Sequence, residues 1–447
     1  RDAQESRGLG DVYKRQLIDI VKEDSTKAVG CTEPVAVAYA ANVGAEYLDK
    51  SNVEKIEVLC SKNIFKNGKA VKIPNTGDHG LDLAASLGVF TEKTTSPLLV
   101  FSKLTDVTIK KAKDFVKDAN VTVNYTDNVP DVYVELTIYS VEDEVKVVLA
   151  YSHSNIVKII KNGEVIYDNP TDDGKGDKAS IKDMSFEELG QIVRDMDYDD
   201  IAFVLEGVEV NLNAANEGLE GYGLELGKKL KELKDAKILP DNFVTDTRIL
   251  TAAAADMRMG GGALPIMTSG GSGNQGVGVV LPIYIVAKRE NLDDESLARG
   301  LFFAHIINRY VKEYSGKLSG LCGCAIGAAI GASAGIAFML NGSEEEIEGA
   351  CTNVFANLTG IVCDGAKESC SMKLSTSAEE SVIAAYLALN GVVTDANVGI
   401  VGDSIEETII NIGKLSHLGF AQTDKVMLDI IDLSLIHISE PTRLLSI

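Results

Sequence analysis

The chain has 447 residues, 45% of them hydrophobic and 24% charged, with a net charge of −23. This is the composition of a globular protein with a large core, long enough for two or three domains. The acidic balance excludes the basic face that a nucleic-acid binder needs and argues against anionic membrane surfaces. Seven cysteines, an odd number in a large chain, do not make a disulfide framework; reduced thiols of a cytoplasmic protein, free for metal binding or catalysis, are expected.

The ends are set apart first. Asp11–Gln16 and Leu433–Ile438 are translations of one DNA string read on opposite strands, the mark of a sequencing adapter. Residues 1–16 and 433–447 are therefore treated as non-native ends and left out of fold reasoning. Leu17 to Lys22 then reads as a short helix. Gly30-Cys31-Thr32-Glu33-Pro34 opens a helix to about Tyr47, with Thr32 as its cap and Pro34 in the first turn. Val53 to Cys60 alternates as a strand, Lys66 to Lys69 reads as a turn, and Lys72 to His79 is a polar loop before a helix near Leu81–Leu87. Asp106 to Ala119 has helical period. Val121–Tyr125, Val132–Ser140 and Val145–Ser152 alternate as strands of an antiparallel meander, and Ile156–Asp168 adds a hairpin around Asn162-Gly163. Residues 17–168 are thus an α+β domain.

Asn169 to Asp177 is polar and rich in turn formers, a linker. Residues 178–432 read as a mainly helical domain, with helices expected at Phe186–Met196, Asp199–Leu212, Glu217–Leu233, Asp246–Met257, Leu292–Tyr314, Cys324–Leu340, Glu344–Thr359, Thr376–Leu389 and Glu406–Leu415. The fold class is α+β. Leu321 to Leu340 carries no charge over about 20 residues, the length of a membrane span. It is dense in Gly, Ala and Ser, stands alone in an acidic chain, and reads instead as the central helix of a soluble bundle.

Cysteines carry the chemistry. Cys363 and Cys370 bracket a short polar loop, and Cys322 and Cys324 stand about forty residues earlier, a gap that a helix out and a helix back would close at about 1.5 Å per residue. Thiolates hold iron–sulfur clusters, and a three-cysteine set leaves one iron open; ordinary buried thiols remain the alternative. Cys31 precedes a helix N-terminus, where free amides lower a thiol's pKa, so it could serve as base, nucleophile or further ligand. Cys60 and Cys351 read as structural. Arg258 and the Ser269–Gly276 run (Ser-Gly-Gly-Ser-Gly-Asn-Gln-Gly) offer bare amides and neutral donors for a substrate carboxylate, and the run does not fit a nucleotide loop. Asn75–His79 and Ser152–Asn155 are loops that could line a pocket.

Together, Gly30–Pro34, Ser269–Gly276, Leu321-Cys-Gly-Cys-Ala and Cys363-Asp-Gly-Ala…Ser-Cys370-Ser-Met-Lys resemble the L-cysteine desulfidase family, itself related to the alpha chain of iron–sulfur L-serine dehydratases. The resemblance spans Leu17 to Asp432. It implies a lyase independent of pyridoxal phosphate that uses a 4Fe–4S cluster to turn L-cysteine into sulfide, ammonia and pyruvate. By the same resemblance Cys363 and Cys370 are two cluster ligands, Cys322 or Cys324 the third, and Cys31 the base or a ligand displaced by substrate. Arg258 with Ser269, Ser272, Asn274 and Gln275 is assigned to the small amino-acid substrate. Neither nucleic acid nor membrane is an expected partner, and a homo-oligomer is left open. L-serine deamination, a non-catalytic iron–sulfur or thiol sensor and a zinc-stabilised binding protein are the competing readings.

Overall fold

Alternating Val and Ile in the first third of the chain build a sheet, and the Ala- and Gly-rich remainder builds packed helices. The structure, a computed structural model, describes residues 2–169, 181–316 and 318–439, and the side chains of 10–169, 181–316 and 318–431. The linker expected over Asn169–Asp177 lies, beyond Asn169, outside the described residues.

Helix α1 (Asp2–Asp24) leads into a two-residue strand β1 (Lys27–Ala28) and the buried helix α2 (Thr32–Gly44). Then follow β2 (Val53–Ser61), α3 (Lys62–Gly68), α4 (Leu81–Phe90), α5 (Asp106–Lys117) and strands β3 (Val121–Thr126), β4 (Tyr133–Ser140), β5 (Glu144–Ala150), β6 (Ile156–Lys161) and β7 (Glu164–Asp168). The sheet order is β3-β2-β4-β5-β6-β7. β4 to β7 form the expected antiparallel meander, but β3 does not join it: it pairs parallel with β2 at the edge. The inward residues of β2, β4 and β5, among them Ile56, Val58, Leu136, Ile138, Val147 and Leu149, pack under Val37, Ala40 and Ala41 of α2. The expected turn at Lys66–Lys69 is instead the end of α3, capped by Ser61, whose Oγ accepts from the Ile64 amide.

The helical part comprises α6 (Phe186–Arg194), α7 (Tyr198–Ile201), α8 (Glu206–Leu219), α9 (Leu226–Asp235), α10 (Phe243–Met259), the short strand β8 (Ile266–Met267), α11 (Gly273–Glu290), α12 (Asp294–Ser315), α13 (Ala329–Met339), α14 (Glu344–Leu358), α15 (Cys370–Ala388), α16 (Ile405–Lys414) and α17 (Phe420–Ser439). A continuous helix over Glu217–Leu233 is not formed; the chain breaks between α8 and α9. α11, which the periodicity does not announce, is almost wholly buried. α12 and α13 touch backbone to backbone: a Cβ on Gly331 would stand 2.5 Å from the Ala304 carbonyl, and one on Gly335 2.6 Å from that of Gly300. This close approach explains the small residues of that uncharged stretch. Among the described residues no helix is long and apolar enough to cross a membrane.

The two parts are not separated where the sequence suggests. Leu17, Ile20 and Val21 of α1 lie in the core of the helical part, and Arg309 of α12 grips the Asp24 carboxylate with both oxygens within 3.0 Å. α1 also runs unbroken through Gln16, and Tyr13 packs against that core. The fold is α+β, a mixed α/β sheet part and a helical part, with β1 and β8 paired across them.

Candidate active site

Two short extended segments bring the first thiols together. Leu321 and Val362 form an antiparallel bridge; the Cys322 amide donates to Ile361 at 2.9 Å and the Cys363 amide to Gly320 at 2.7 Å. Because side chains alternate along a strand, Cys322 and Cys363 emerge on one face. They are diagonal neighbours, about 7–8 Å apart in such a ladder. Beyond Cys363 the chain turns back on itself. Asp364 is clamped by Lys367 at 2.6 Å and Lys373 at 2.5 Å, and Lys373 also donates to the Val362 carbonyl at 2.8 Å. Gly365, at φ +94°, presses on α3: a Cβ there would stand 2.6 Å from the Lys66 carbonyl. Cys370 then opens α15, its thiol 3.7 Å from the Gly365 carbonyl. The hairpin of α13 and α14, as expected from the spacing, returns the chain to the end it left. Cys324 starts a π-helical turn, Cys324–Ala328, ahead of α13; such turns recur at functional sites.

Cys31 arrives from the other part. β1 pairs with β8 (Lys27 with Met267, Ala28 with Ile266), so the Gly30–Pro34 motif and the Ser269–Gly276 run are carried side by side. Ser269 and Ser272 close a tight turn with reciprocal amide–carbonyl bonds of 3.0 Å, and Gly270 and Gly271 both have positive φ, as that turn type requires. The result is a cavity of about 110 Å³ lined by Cys31, Cys322, Cys324, Cys363 and Cys370 together with Glu33, Asn67, Arg258, Ser272, Asn274 and Gln275. Cys31 forms a small apolar cluster with Val71 and Met259, against which Ala366 and Cys370 pack.

The charges on this wall are buried. Glu33 accepts from the Cys31 thiol at 3.0 Å, from Thr32 Oγ1 at 3.2 Å and from Asn67 Nδ2 at 2.9 Å. Burial opposes its ionisation, but His153, the Cys31 and Asn67 hydrogen bonds and Arg258 outweigh it and hold the carboxyl below its usual range. Burial and then Glu33 push the Cys31 thiol well up, so the lowered pKa expected from its helix N-terminus is not found. The effect appears at Cys322 instead. A hydrogen bond from Cys324, helped by the backbone amides of Cys324 and Ala325 and by Lys373, outweighs burial and brings Cys322 down to about 6. Burial raises Cys363 to about 11, although Lys66 pulls the other way.

Arg258 is 4% exposed. Its Nη1 donates to Asn274 Oδ1 at 3.0 Å and touches Met259 Sδ at 3.5 Å, while Nε has no partner. Gln275 Oε1 and Asn67 Oδ1 are likewise buried and unpartnered. Buried polar atoms left bare are rare in native proteins and call for an explanation, a bound group among them.

The donor set, thiols without a histidine, is of the kind that holds an iron–sulfur cluster. Among the described residues no His, Cys, Asp or Glu group of three or more is disposed around one metal ion. Zinc needs its thiolates about 2.3 Å from a common centre, whereas the thiolates of a cluster bind different irons and stand farther apart. Cys322, Cys363 and Cys370 on one cavity wall, with Cys324 adjoining, fit that group.

Of the residues singled out from sequence, the cavity gathers Cys31, Arg258, Ser272, Asn274, Gln275, Cys322, Cys324, Cys363 and Cys370. Ser269 is not on its wall: fully buried, its Oγ meets Asn308 Nδ2 and His305 Nδ1 at 2.9 Å each, facing α12. Cys60 and Cys351 are buried elsewhere, as expected. Ser152 and His153 line an adjoining cavity that shares Glu33, Ser272 and Gln275 with the first, whereas His79 lies exposed. Sequence reasoning missed Glu33 and Asn67. A lone charge ahead of Pro-Val-Ala-Val-Ala was the available signal for Glu33; Asn67 was hidden by the misread turn.

The model of the serine dehydratase alpha chain family matches residues 177–429, more than half of the chain and all of the thiol-bearing helical region. A UPF0597 protein of Clostridium botulinum is 47% identical over 428 residues, covering 95% of this chain and 98% of the relative. UPF0597 proteins of Vibrio parahaemolyticus and Clostridium perfringens are 36% and 35% identical over 93% and 94% of this chain and 98% of each relative. With a family match over the segment that holds four of the five converging cysteines, the chain belongs to the serine dehydratase alpha chain family.

Proposed function

We propose that the protein is an iron–sulfur lyase that converts L-cysteine to sulfide, ammonia and pyruvate by β-elimination. The observation that carries the reading is the convergence of five cysteines, from three stretches of sequence, on one buried cavity beside a buried arginine that forms no salt bridge with a carboxylate among the described residues. Cys322, Cys363 and Cys370 would hold a 4Fe–4S cluster. Cys322 is preferred to Cys324 as third ligand, because it shares the ladder face with Cys363. When bound there, the cluster supplies a Lewis acid toward the leaving sulfur.

The chain's own residues do the rest. Arg258, Asn274 and the free amides at the start of α11 hold the substrate carboxylate, a helix N-terminus being suited to an anion. Cys31 Sγ takes the α-proton as thiolate; for that it must first release its own proton to solvent, a loss that Arg258 favours and that burial and Glu33 oppose. Loss of the α-proton and of the sulfide leaves an aminoacrylate, and its hydrolysis gives ammonia and pyruvate. Burial of the cavity keeps water from the carbanion-like centre until the leaving group has departed.

The family match to a serine dehydratase chain favours a second reading within the same chemistry, with the hydroxyl of L-serine as leaving group. Anaerobic reconstitution with iron and sulfide, followed by parallel assays of sulfide and pyruvate, tests both. L-cysteine should give the two products in equal amounts and faster than L-serine gives pyruvate. Pyruvate from L-serine alone would establish the deaminase, and no pyruvate from either would sink the lyase.

A further inference from the structure

The cavity has two buried poles, and the proposed lyase uses only one. Arg258 and Asn274 stand on the inner wall. Glu33 and Gln275 stand on the border shared with the adjoining cavity that His153 lines. Glu33 is 5% exposed and Gln275 7%, and Glu33 is the single carboxylate among the residues lining the thiol cavity. A carboxylate offers about four acceptor positions, and three hydrogen bonds are already made, by Cys31, Thr32 and Asn67. One position remains. Gln275 packs its amide nitrogen against Gly323, where a Cβ would come within 2.2 Å of it, and leaves Oε1 buried without a partner. A free acceptor on a carboxylate and a bare amide oxygen on the same border match a group with several N–H donors and a positive charge. Two cations line that adjoining cavity: Lys312, directed at the Gly270 carbonyl at 2.5 Å, and His153, whose charge acts on Glu33 without one of the three hydrogen bonds above.

We propose that Glu33 and Gln275 Oε1 receive the α-ammonium of the substrate, so that Glu33 and Arg258 together recognise a zwitterion. Glu33 is then a specificity-determining residue as well as the group that positions the Cys31 thiol. Gln275, assigned from the sequence to the carboxylate, changes sides and binds the ammonium. This rests on the lyase reading for its substrate, but its test does not depend on turnover.

Three small ligands separate the poles on the cluster-reconstituted protein: L-alanine, which has both charges and no leaving group; propionate, which lacks the ammonium; and ethylamine, which lacks the carboxylate. Anaerobic titration calorimetry should show L-alanine binding about tenfold or more tighter than either, since each pole adds hydrogen bonds to a charged group. Glu33→Gln should remove most of the difference between L-alanine and propionate while leaving propionate unchanged. Gln275→Leu should weaken L-alanine alone, by a smaller factor. Equal binding of L-alanine and propionate to the unmodified protein, no binding of L-alanine at all, or an equal loss for both ligands in Glu33→Gln, would overturn the assignment. Preferential L-alanine binding without pyruvate from L-cysteine or L-serine would remove the lyase reading and leave the two poles standing.

Discussion

At the residue scale, Arg258 and Cys31 answer different questions. A buried guanidinium costs several kcal/mol unless paired; Arg258 hydrogen-bonds only an amide oxygen and a thioether, and the Glu33 carboxylate, near enough to feel its charge, forms no salt bridge with it among the described residues. We propose that such a group serves a ligand more than the fold. Arg258→Met should therefore leave the melting temperature equal or higher, while KM for the amino acid rises about tenfold or more. A fall in stability with unchanged KM would return Arg258 to a structural role. Cys31 stands apart from the ladder that holds Cys322 and Cys363. Cys31→Ala should keep the visible absorbance of the reconstituted cluster and abolish pyruvate formation, whereas Cys363→Ala should lose both. Loss of the absorbance in Cys31→Ala would make it a ligand instead of the base. The sequence made these thiols visible, because cysteine is rare and its spacing fits a helical hairpin. It did not reveal their ionisation. The helix N-terminus at Cys31 suggested a lowered pKa, but burial and the carboxylate of Glu33, two residues on, decide the sign.

At the scale of elements, the legible parts are those whose pattern is local. The β4–β7 meander and the α13–α14 hairpin follow from alternation, Asn-Gly turns and capped helical stretches. α11 was illegible for a physical reason: its first half carries three glycines, Asn274 and Pro282 among several valines, residues that are poor helix formers. Burial on nearly every side forms it nonetheless, and its first turn supplies Asn274 and Gln275. α3 was misread as a turn through Asn67-Gly68, yet it braces the site. Its Lys66 carbonyl meets Gly365 of the cysteine loop, and its Lys66 ammonium pairs with Asp424 of α17 at 2.7 Å, both side chains buried. Removing one partner of a buried pair costs about 3–5 kcal/mol, while replacing both with apolar residues is often neutral. Lys66→Met alone should lower the urea midpoint sharply, and Lys66→Met with Asp424→Leu should recover most of it. If the double variant is no more stable than the single, the pair is not what braces the loop.

At the scale of the whole molecule, the cavity sits where the sheet part and the helical part meet, joined by β1 with β8 and by Arg309 with Asp24. Neither half holds a complete set of groups, so the domain boundary seen in the sequence separates residues that the structure unites. The same scale governs the charge of −23, which the fold does not spread evenly. Glu348 of α14 is half-buried; burial, then Glu406, Glu344, Glu345 and Glu187 around it, push its carboxyl up to about 7. An acid whose pKa is higher folded than unfolded binds more protons in the folded state between those two values. Stability from this group is therefore full below the unfolded glutamate range and is lost as pH rises to about 7. The shift would correspond to about 3 kcal/mol at full burial, and solvent screening at a half-exposed site reduces it to about 1–2 kcal/mol. Glu348→Gln should raise the unfolding free energy by about that amount at pH 8 and change it little at pH 4. Salt should narrow the difference, because the neighbouring glutamates lie within a Debye length of about 10 Å at 0.1 M. An equal effect of Glu348→Gln at both pH values would show that packing, and not the crowding of carboxylates, sets the stability of this corner.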